Sequence, residues 1–224
     1  MAAYREYALP LATRAAHEAL DQAGLTTGEI TQLVTVSCTG FSAPGLDVHL
    51  LDALDLPATT GRTMIGFMGC HGALNGLRVA HGLAHQPGGA VLLCAVELCT
   101  LHFQYGWRPD QIVANSLFAD GAAAMVMRAD GQSLANNPNA TRPWRLLDSR
   151  SKLVPESRDA MQWHIGDHGF EMHLSPRVPE LIEAHLRPWL ETWLAEHRLK
   201  LSQVASWAIH PGGPRILDAT ERAL

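Results

Sequence analysis

TMIGFMGCHGALNGLRVA, residues 63–80, decides how this chain is read. Residues 63–67 have the apolar, β-branched character of a strand, and Met68-Gly69-Cys70 interrupts it. From His71 onward the apolar residues fall at helical spacing among many small ones. The stretch therefore predicts strand, tight turn and helix, with Cys70 at the junction. A thiol at a helix start faces unpaired backbone N–H groups and the positive end of the helix dipole, and both favour the nucleophilic thiolate. Gly69 allows a sharp turn there, and Gly72 offers a reactant close approach. On spacing alone the plainer reading is a packed core thiol, because strand–Gly–Cys–helix is a common pattern.

Similar alternation continues on both sides. Ala8, Leu11, Ala12, Ala15, Ala16, Ala19, Leu20 and Ala23 predict a helix that stops at Gly24, with Pro10 in its first turn. Residues 33–38, 90–96 and 122–127 read as buried strands, and Pro44 opens a helix between the first of these and residue 63. A further helix covers 111–117. Residues 129–143, ADGQSLANNPNATRP, are polar and turn-rich and read as a linker or exposed crossover. Beyond them 144–147, 161–165, 171–174 and 204–209 read as strands. Residues 179–199 read as a helix kinked at Pro188, and Pro214 starts another. The alternation of strands and helices predicts α/β layers. No internal repeat is visible in the sequence. His210 ends the 204–209 strand before Pro211-Gly212-Gly213-Pro214. That makes it the best candidate proton partner for a thiolate, against the plainer reading of a loop histidine.

Composition narrows the function classes. The chain has 224 residues, 17 Lys and Arg against 22 Asp and Glu, and a net charge of -5, which gives no electrostatic footprint for nucleic acid. Hydrophobic residues make up 47%, enough for an ordinary core, and the longest apolar run, 90–96, is too short to span a bilayer. The opening MAAYREYALP has no basic region followed by an apolar run, so a cytoplasmic protein is expected. Cys38, Cys70, Cys94 and Cys99 form no C-x-x-C pair and no disulfide framework, and buried reduced thiols are the default. The pairs His81 with His85 and His164 with His168 lack the glutamate of H-E-x-x-H, so no metal site is expected from them.

Four blocks change the weighing at Cys70 and His210. GFMGCHGALNGLRVA, VELCTLHFQ, SLFADGAAAMV and IHPGGPRILDA, in this order and spacing, resemble the chalcone and stilbene synthase family, the type III polyketide synthases. HPGGP-x-ILD is the sharpest element. The resemblance implies a thiolase-like fold of αβαβα layers, with 1–129 as an N-terminal half and 130–224 as the start of a C-terminal half. It implies a homodimer acting on acyl-CoA and malonyl-CoA, with no organic cofactor and no metal. Cys70 matches the nucleophile that accepts the starter acyl group, and His210 the catalytic histidine. Phe118 matches a gatekeeping phenylalanine between CoA tunnel and cavity; core packing is its plainer alternative. Met172 stands where plant members have a second gatekeeping phenylalanine, and methionine softens such a gate.

Other positions depart from plant members. Cys38, Cys99 and His102 replace threonines that line the starter and cyclisation pockets, and ELCTLHFQ looks more like bacterial alkylpyrone, alkylresorcinol or tetrahydroxynaphthalene synthases. A metal site at these three is the weaker alternative to a pocket wall. Gly212, Gly213 and Arg215 match the loop beside the pantetheine arm, with solvation the plainer role for Arg215. Glu97 matches a strand-end glutamate, against an ordinary structural ion pair. Ala43 stands where plant members place a methionine, which leaves room for a longer acyl chain. The family's catalytic asparagine lies in a Gly-Asn motif beyond His210, and this chain has no such motif. The family's long stretch before the first helix, with basic residues for the CoA phosphates, has no counterpart either. The expectation is the middle of a longer enzyme, incomplete at both ends and poorly soluble or inactive by itself. Two alternatives stay open: a ketoacyl synthase III-like condensing enzyme, which HPGGP argues against, and a non-catalytic fragment that binds acyl-CoA or a partner.

Overall fold

A computed structural model describes residues 1–129, 143–167 and 169–224 of the chain. The stretch 130–142, with Asn136, Asn137 and Asn139, and His168 of the second histidine pair lie outside the described residues. Two compact units divide it: Met1–His102 with Ala119–Leu147, and Phe103–Phe118 with Asp148–Leu224. The sequence reading divides at 129/130; by compactness, Phe103–Phe118 goes with the second unit.

The first unit is a three-layer sandwich. Strands β1 (Gln32–Ser37), β2 (Gly61–Gly66), β3 (Ala90–Leu98) and β4 (Asp120–Arg128) form a sheet of order β2-β1-β3-β4. β1 runs parallel to β2 and β3, and β4 runs antiparallel to β3. Helices α1 (Ala2–Ala23) and α2 (Leu46–Ala53) cover one face. Helix α3 (Gly72–Ala84) covers the other. Side chains alternate accordingly: Leu33, Leu92, Cys94 and Val96 face α1 and α2, while Val34, Val36, Val91 and Leu93 face α3. Burial on both faces is why β1 and β3 read as continuous apolar runs instead of alternating ones.

The second unit holds the hairpin of β5 (Met161–Gly166) and β6 (Gly169–Leu174), with α4 (Pro109–Leu117) resting on β6. Helix α5 (Val178–Glu196) packs on α6 (Pro214–Ala223), where the Arg187 guanidinium donates to the carbonyls of Ala223 and Leu224 at 2.8 and 2.7 Å.

Four expectations about elements are corrected. Helix α1 starts at Ala2, so Pro10 lies inside it, on the exposed face where its missing N–H is tolerated. Helix α2 starts at Leu46 with Gly45 as N-cap, two residues past Pro44. Residues 144–147 are not a strand, and Trp144 is 98% exposed. Residues 204–209 are not a strand either: none of the described residues pairs with them, and Trp207 and Ile209 stay exposed. Apolar β-formers become a strand only with a ladder partner and a covered face.

Each unit, taken by itself, contains a helix followed by a 3-10 turn, an apolar run and a second helix. In the first, α1 leads through a 3-10 turn at Thr27–Glu29 into β1, Cys38 and then α2. In the second, α5 leads through a 3-10 turn at Leu201–Gln203 into 204–209, His210 and then α6. Both turns are closed alike, Thr26 N–H donating to Glu29 at 2.9 Å and Lys200 N–H to Gln203 at 2.8 Å. The likeness is limited to this order of segments, since Gln32–Ser37 is a strand and 204–209 is not. It gives His210 in the second unit the place that Cys38 has in the first.

Candidate active site

Cys70 sits in a 3-10 turn, Gly69–His71, that follows β2 after Phe67 and Met68 and runs into α3 without a break. The backbone enters it through two left-handed positions, Phe67 at φ 54 and Gly69 at φ 62. Glycine adopts this conformation freely, whereas at Phe67 it costs on the order of 1 kcal/mol. The Phe67 ring leans edge-on against Phe41, 6.1 Å between centroids. The turn leaves Cys70 solvent-accessible at the carboxyl end of β2. Gly72 is buried against Val36, so its missing side chain serves the packing of α3 on the sheet, not the approach of a reactant.

Within the first unit Cys70 has Cys38, Cys99 and Glu97 as neighbours. The Cys38 thiol faces the carbonyl of Gly69 at 3.9 Å. Glu97, near the end of β3, is wrapped by donors. The Cys38 backbone N–H reaches its two oxygens at 2.8 and 3.0 Å, the Thr39 hydroxyl donates at 2.7 Å and the Ser37 hydroxyl at 3.5 Å. The Tyr4 hydroxyl in turn donates to Ser37 at 2.7 Å, and the Thr39 hydroxyl accepts the Leu98 N–H at 2.8 Å. Asp120 closes the next turn of chain by accepting the Thr100 N–H at 2.8 Å and hydroxyl at 2.6 Å.

Burial governs the ionisation of this cluster. It pushes the Glu97 carboxyl up against the pull of Thr39 and Cys38. It pushes the Cys99 thiol up to about 11, aided by the charges of Glu97 and Asp120, and the core thiol Cys94 up to about 12. Cys38 is also raised, by burial first and then by Glu97. At Cys70 itself, enough protein surrounds the sulfur for burial to raise the thiol; its own backbone N–H lowers it and Glu97 raises it again. The helix-start argument foresees a lowered value, and the local N–H does act that way, but desolvation outweighs it. A thiolate at Cys70 needs a cation from outside this cluster.

His102 is buried, its Nε2 2.6 Å from the Thr39 carbonyl, so that nitrogen carries the proton. Among the described residues no three His, Cys, Asp or Glu side chains are grouped to hold a metal ion. No described helix is long and apolar enough to cross a membrane.

The second unit groups the other expected residues. Phe118 caps α4 and lies 6.3 Å from the Trp163 ring, which meets Phe170 edge-on at 5.8 Å. Met172 pairs with Trp163 across the hairpin. His210 is exposed; its carbonyl accepts the Gly212 N–H at 2.9 Å, and Gly213 is the N-cap of α6. Val113, Leu117, Leu174, Gly212, Gly213 and Arg215 line a cavity of about 430 Å³. Tyr4, Ser37, Thr39 and Asp120 are absent from the sequence reading. Tyr4 had a signal: it continues the four-residue stripe Ala8, Ala12, Ala16 backwards by one turn.

Comparison with known proteins gives this geometry its relatives. The profile described as chalcone and stilbene synthases, N-terminal domain, matches residues 3–131, and the C-terminal domain profile of the same family matches 145–224. The chain is 37% identical to a 1,3,6,8-tetrahydroxynaphthalene synthase of Streptomyces peucetius, covering 100% of this chain and 58% of that protein. It is 32% identical to the alpha-pyrone synthesis polyketide synthase-like Pks18 of Mycobacterium tuberculosis, covering 99% of this chain and 56% of the relative. The chain thus spans a little over half the length of these relatives. The crystal structure of PKS-I from the brown alga Ectocarpus siliculosus matches with a TM-score of 0.90 at 32% identity, over 99% of this chain and 57% of that one. The fold is accordingly the thiolase-like α/β arrangement of these synthases. With both profiles matched in order along almost its whole length, the chain belongs to the chalcone and stilbene synthase family.

Proposed function

We propose that the chain carries the condensing centre of a cytoplasmic, homodimeric type III polyketide synthase. Cys70 attacks the carbonyl of an acyl-CoA, forms a thioester and releases CoA. Malonyl-CoA then loses CO2, and the enolate carbon attacks the Cys70-bound carbonyl. That step forms the carbon–carbon bond, frees the thiolate and leaves a chain two carbons longer on CoA. Further rounds end in ring closure to a pyrone or a resorcinol-type product. His210 supplies the cation that holds Cys70 as thiolate and the N–H that meets the charge developing on the thioester oxygen. Phe118 and Met172 gate the acyl chain, Cys38, Cys99 and His102 bound its pocket, and Gly212 and Gly213 flank the pantetheine arm.

The observation that carries this reading is the Cys70 turn: an accessible thiol at a strand end, with its own N–H turned to the sulfur, but raised by burial and Glu97. Such a thiol becomes a nucleophile when an external cation offsets that burden, the role given to His210. Incubation of the full-length protein with acyl-CoAs of graded length and labelled malonyl-CoA, followed by mass spectrometry, tests it. Labelled pyrone or resorcinol products that vanish in Cys70→Ala support the reading. Products that persist in that variant overturn it.

A further inference from the structure

We propose that His81 and His85, at the end of α3, form a binding site for one first-row divalent metal ion of the zinc, nickel or copper class. The site lies apart from the condensing centre and does not rest on the reading of Cys70.

The two histidines stand four residues apart, and the helix keeps that spacing to its end. α3 runs from Gly72 to Ala84, and His85, its C-cap, still has a right-handed helical backbone at φ -80 and ψ -2. Residues four apart on a helix lie one above the other on a single face. The imidazoles accordingly meet, with ring centroids 4.6 Å apart and planes inclined at 63°. His85 is exposed and His81 half-buried, so an ion reaches both from solvent.

The hydrogen bonding fixes one tautomer. His85 Nδ1 lies 2.7 Å from the His81 carbonyl, so this nitrogen donates and Nε2 keeps its lone pair for a ligand. A carbonyl behind the far nitrogen is the common support of a metal-bound histidine, because it orients the ring and strengthens the free nitrogen as a ligand. Among the described residues, His85 Nε2 and the ring nitrogens of His81 make no hydrogen bond. The spacing fits as well. Two imidazoles bound to one ion at about 2.1 Å, at right or tetrahedral angles, hold their ring centres roughly 4.6–5.3 Å apart. The 4.6 Å separation falls in that range, so ring rotation suffices and the helix need not move.

Charge and donor type select the occupant. The carbonyl end of a helix favours a cation, and the last turn of α3 holds no lysine or arginine to occupy that field. Imidazole nitrogens suit zinc, nickel and copper, whereas magnesium and calcium take oxygen ligands. Gly82 stands where H-E-x-x-H has its glutamate. That replacement removes a general base and leaves both ligands in place. The site therefore holds an ion, with water in the remaining positions, and staples the last turn of α3.

The experiment titrates Ni2+ into the full-length protein by isothermal calorimetry, with circular dichroism to check the fold of each variant. Wild type should show a step of one ion per chain that excess Mg2+ does not displace. His81→Ala and His85→Ala should each weaken that step by roughly tenfold or more, because a second imidazole no longer closes on an ion held by the first. Gly82→Ala serves as the control: a methyl there meets nothing within 4 Å and adds no donor, so the affinity stays that of wild type. Wild-type affinity in either histidine variant would place the ion on the thiols or on other histidines and overturns the proposal. So does displacement by Mg2+, absence of the step in wild type, or a loss in Gly82→Ala as large as in the histidine variants. Should His81→Ala not fold, His85→Ala decides alone.

Discussion

The two oxygens of Glu97 share the backbone N–H of Cys38, at 2.8 and 3.0 Å, which ties the end of β3 to the residue after β1. Glu97→Gln turns one of these acceptors into a donor. The chain should lose roughly 1–3 kcal/mol of stability, as expected for breaking a largely shielded hydrogen-bonded network, measured by urea unfolding at neutral pH. The pH dependence has a definite sign. Burial raises the Glu97 carboxyl above its ordinary value, so the folded chain holds this proton more tightly than the unfolded one. Its contribution is fully present below the ordinary glutamate value and declines as pH rises through the raised one. In Glu97→Gln that decline disappears from the stability curve.

Gly40 and Tyr4 share one space, so they must be changed together. Gly40→Ala forces a methyl into the Tyr4 ring and is expected to destabilise the chain by about 1–3 kcal/mol. In a Tyr4→Leu background the added cost of Gly40→Ala should shrink. An equal cost in both backgrounds, read from denaturant midpoints, would place the strain elsewhere.

Asp148 accepts from the Trp193 indole N–H at 2.8 Å and from His197 at 2.7 Å, with Arg150 at 3.3 Å. These donors, the indole first, hold its carboxyl well below the ordinary aspartate range. Its contribution is therefore present above the ordinary aspartate value and lost as pH falls through the lowered one. Asp148→Asn should lower the thermal midpoint at neutral pH, and the difference from wild type should vanish on strong acidification. A difference that persists there would assign the effect to packing alone.

The family resemblance implies that Ala43, in place of a methionine, leaves room for a longer acyl starter in the proposed enzyme. Ala43→Met is expected to shift the product distribution towards shorter acyl starters, read by mass spectrometry after reaction with mixed acyl-CoAs. An unchanged distribution counts against that role.

Much of the first unit was legible in the sequence because its sheet is covered on both faces. Runs such as residues 90–96 have no reading other than a buried strand or helix, and their length settles which. The Cys70 junction was legible for the same reason, since glycine, thiol and a small-residue helix stand in a row. Tyr4 escaped because Pro10 suggests a helix start, yet proline on an exposed helix face ends nothing. The run 204–209 misled in the opposite direction, for its residues suit a strand but the described residues offer no ladder partner. The raised Cys70 thiol was beyond sequence reading. Its direction depends on how much protein surrounds the sulfur and on Glu97, 27 positions further along the chain.

The central claim is that Cys70 is the atom that takes the acyl group. Brief exposure of the full-length protein to an acyl-CoA, followed by proteolysis and mass spectrometry, tests this directly. The account predicts one acyl mass increment on the peptide that contains Cys70, removed by hydroxylamine and absent in Cys70→Ala. Acylation on Cys38 or Cys99 with Cys70 unmodified, or an increment unchanged in Cys70→Ala, would contradict it.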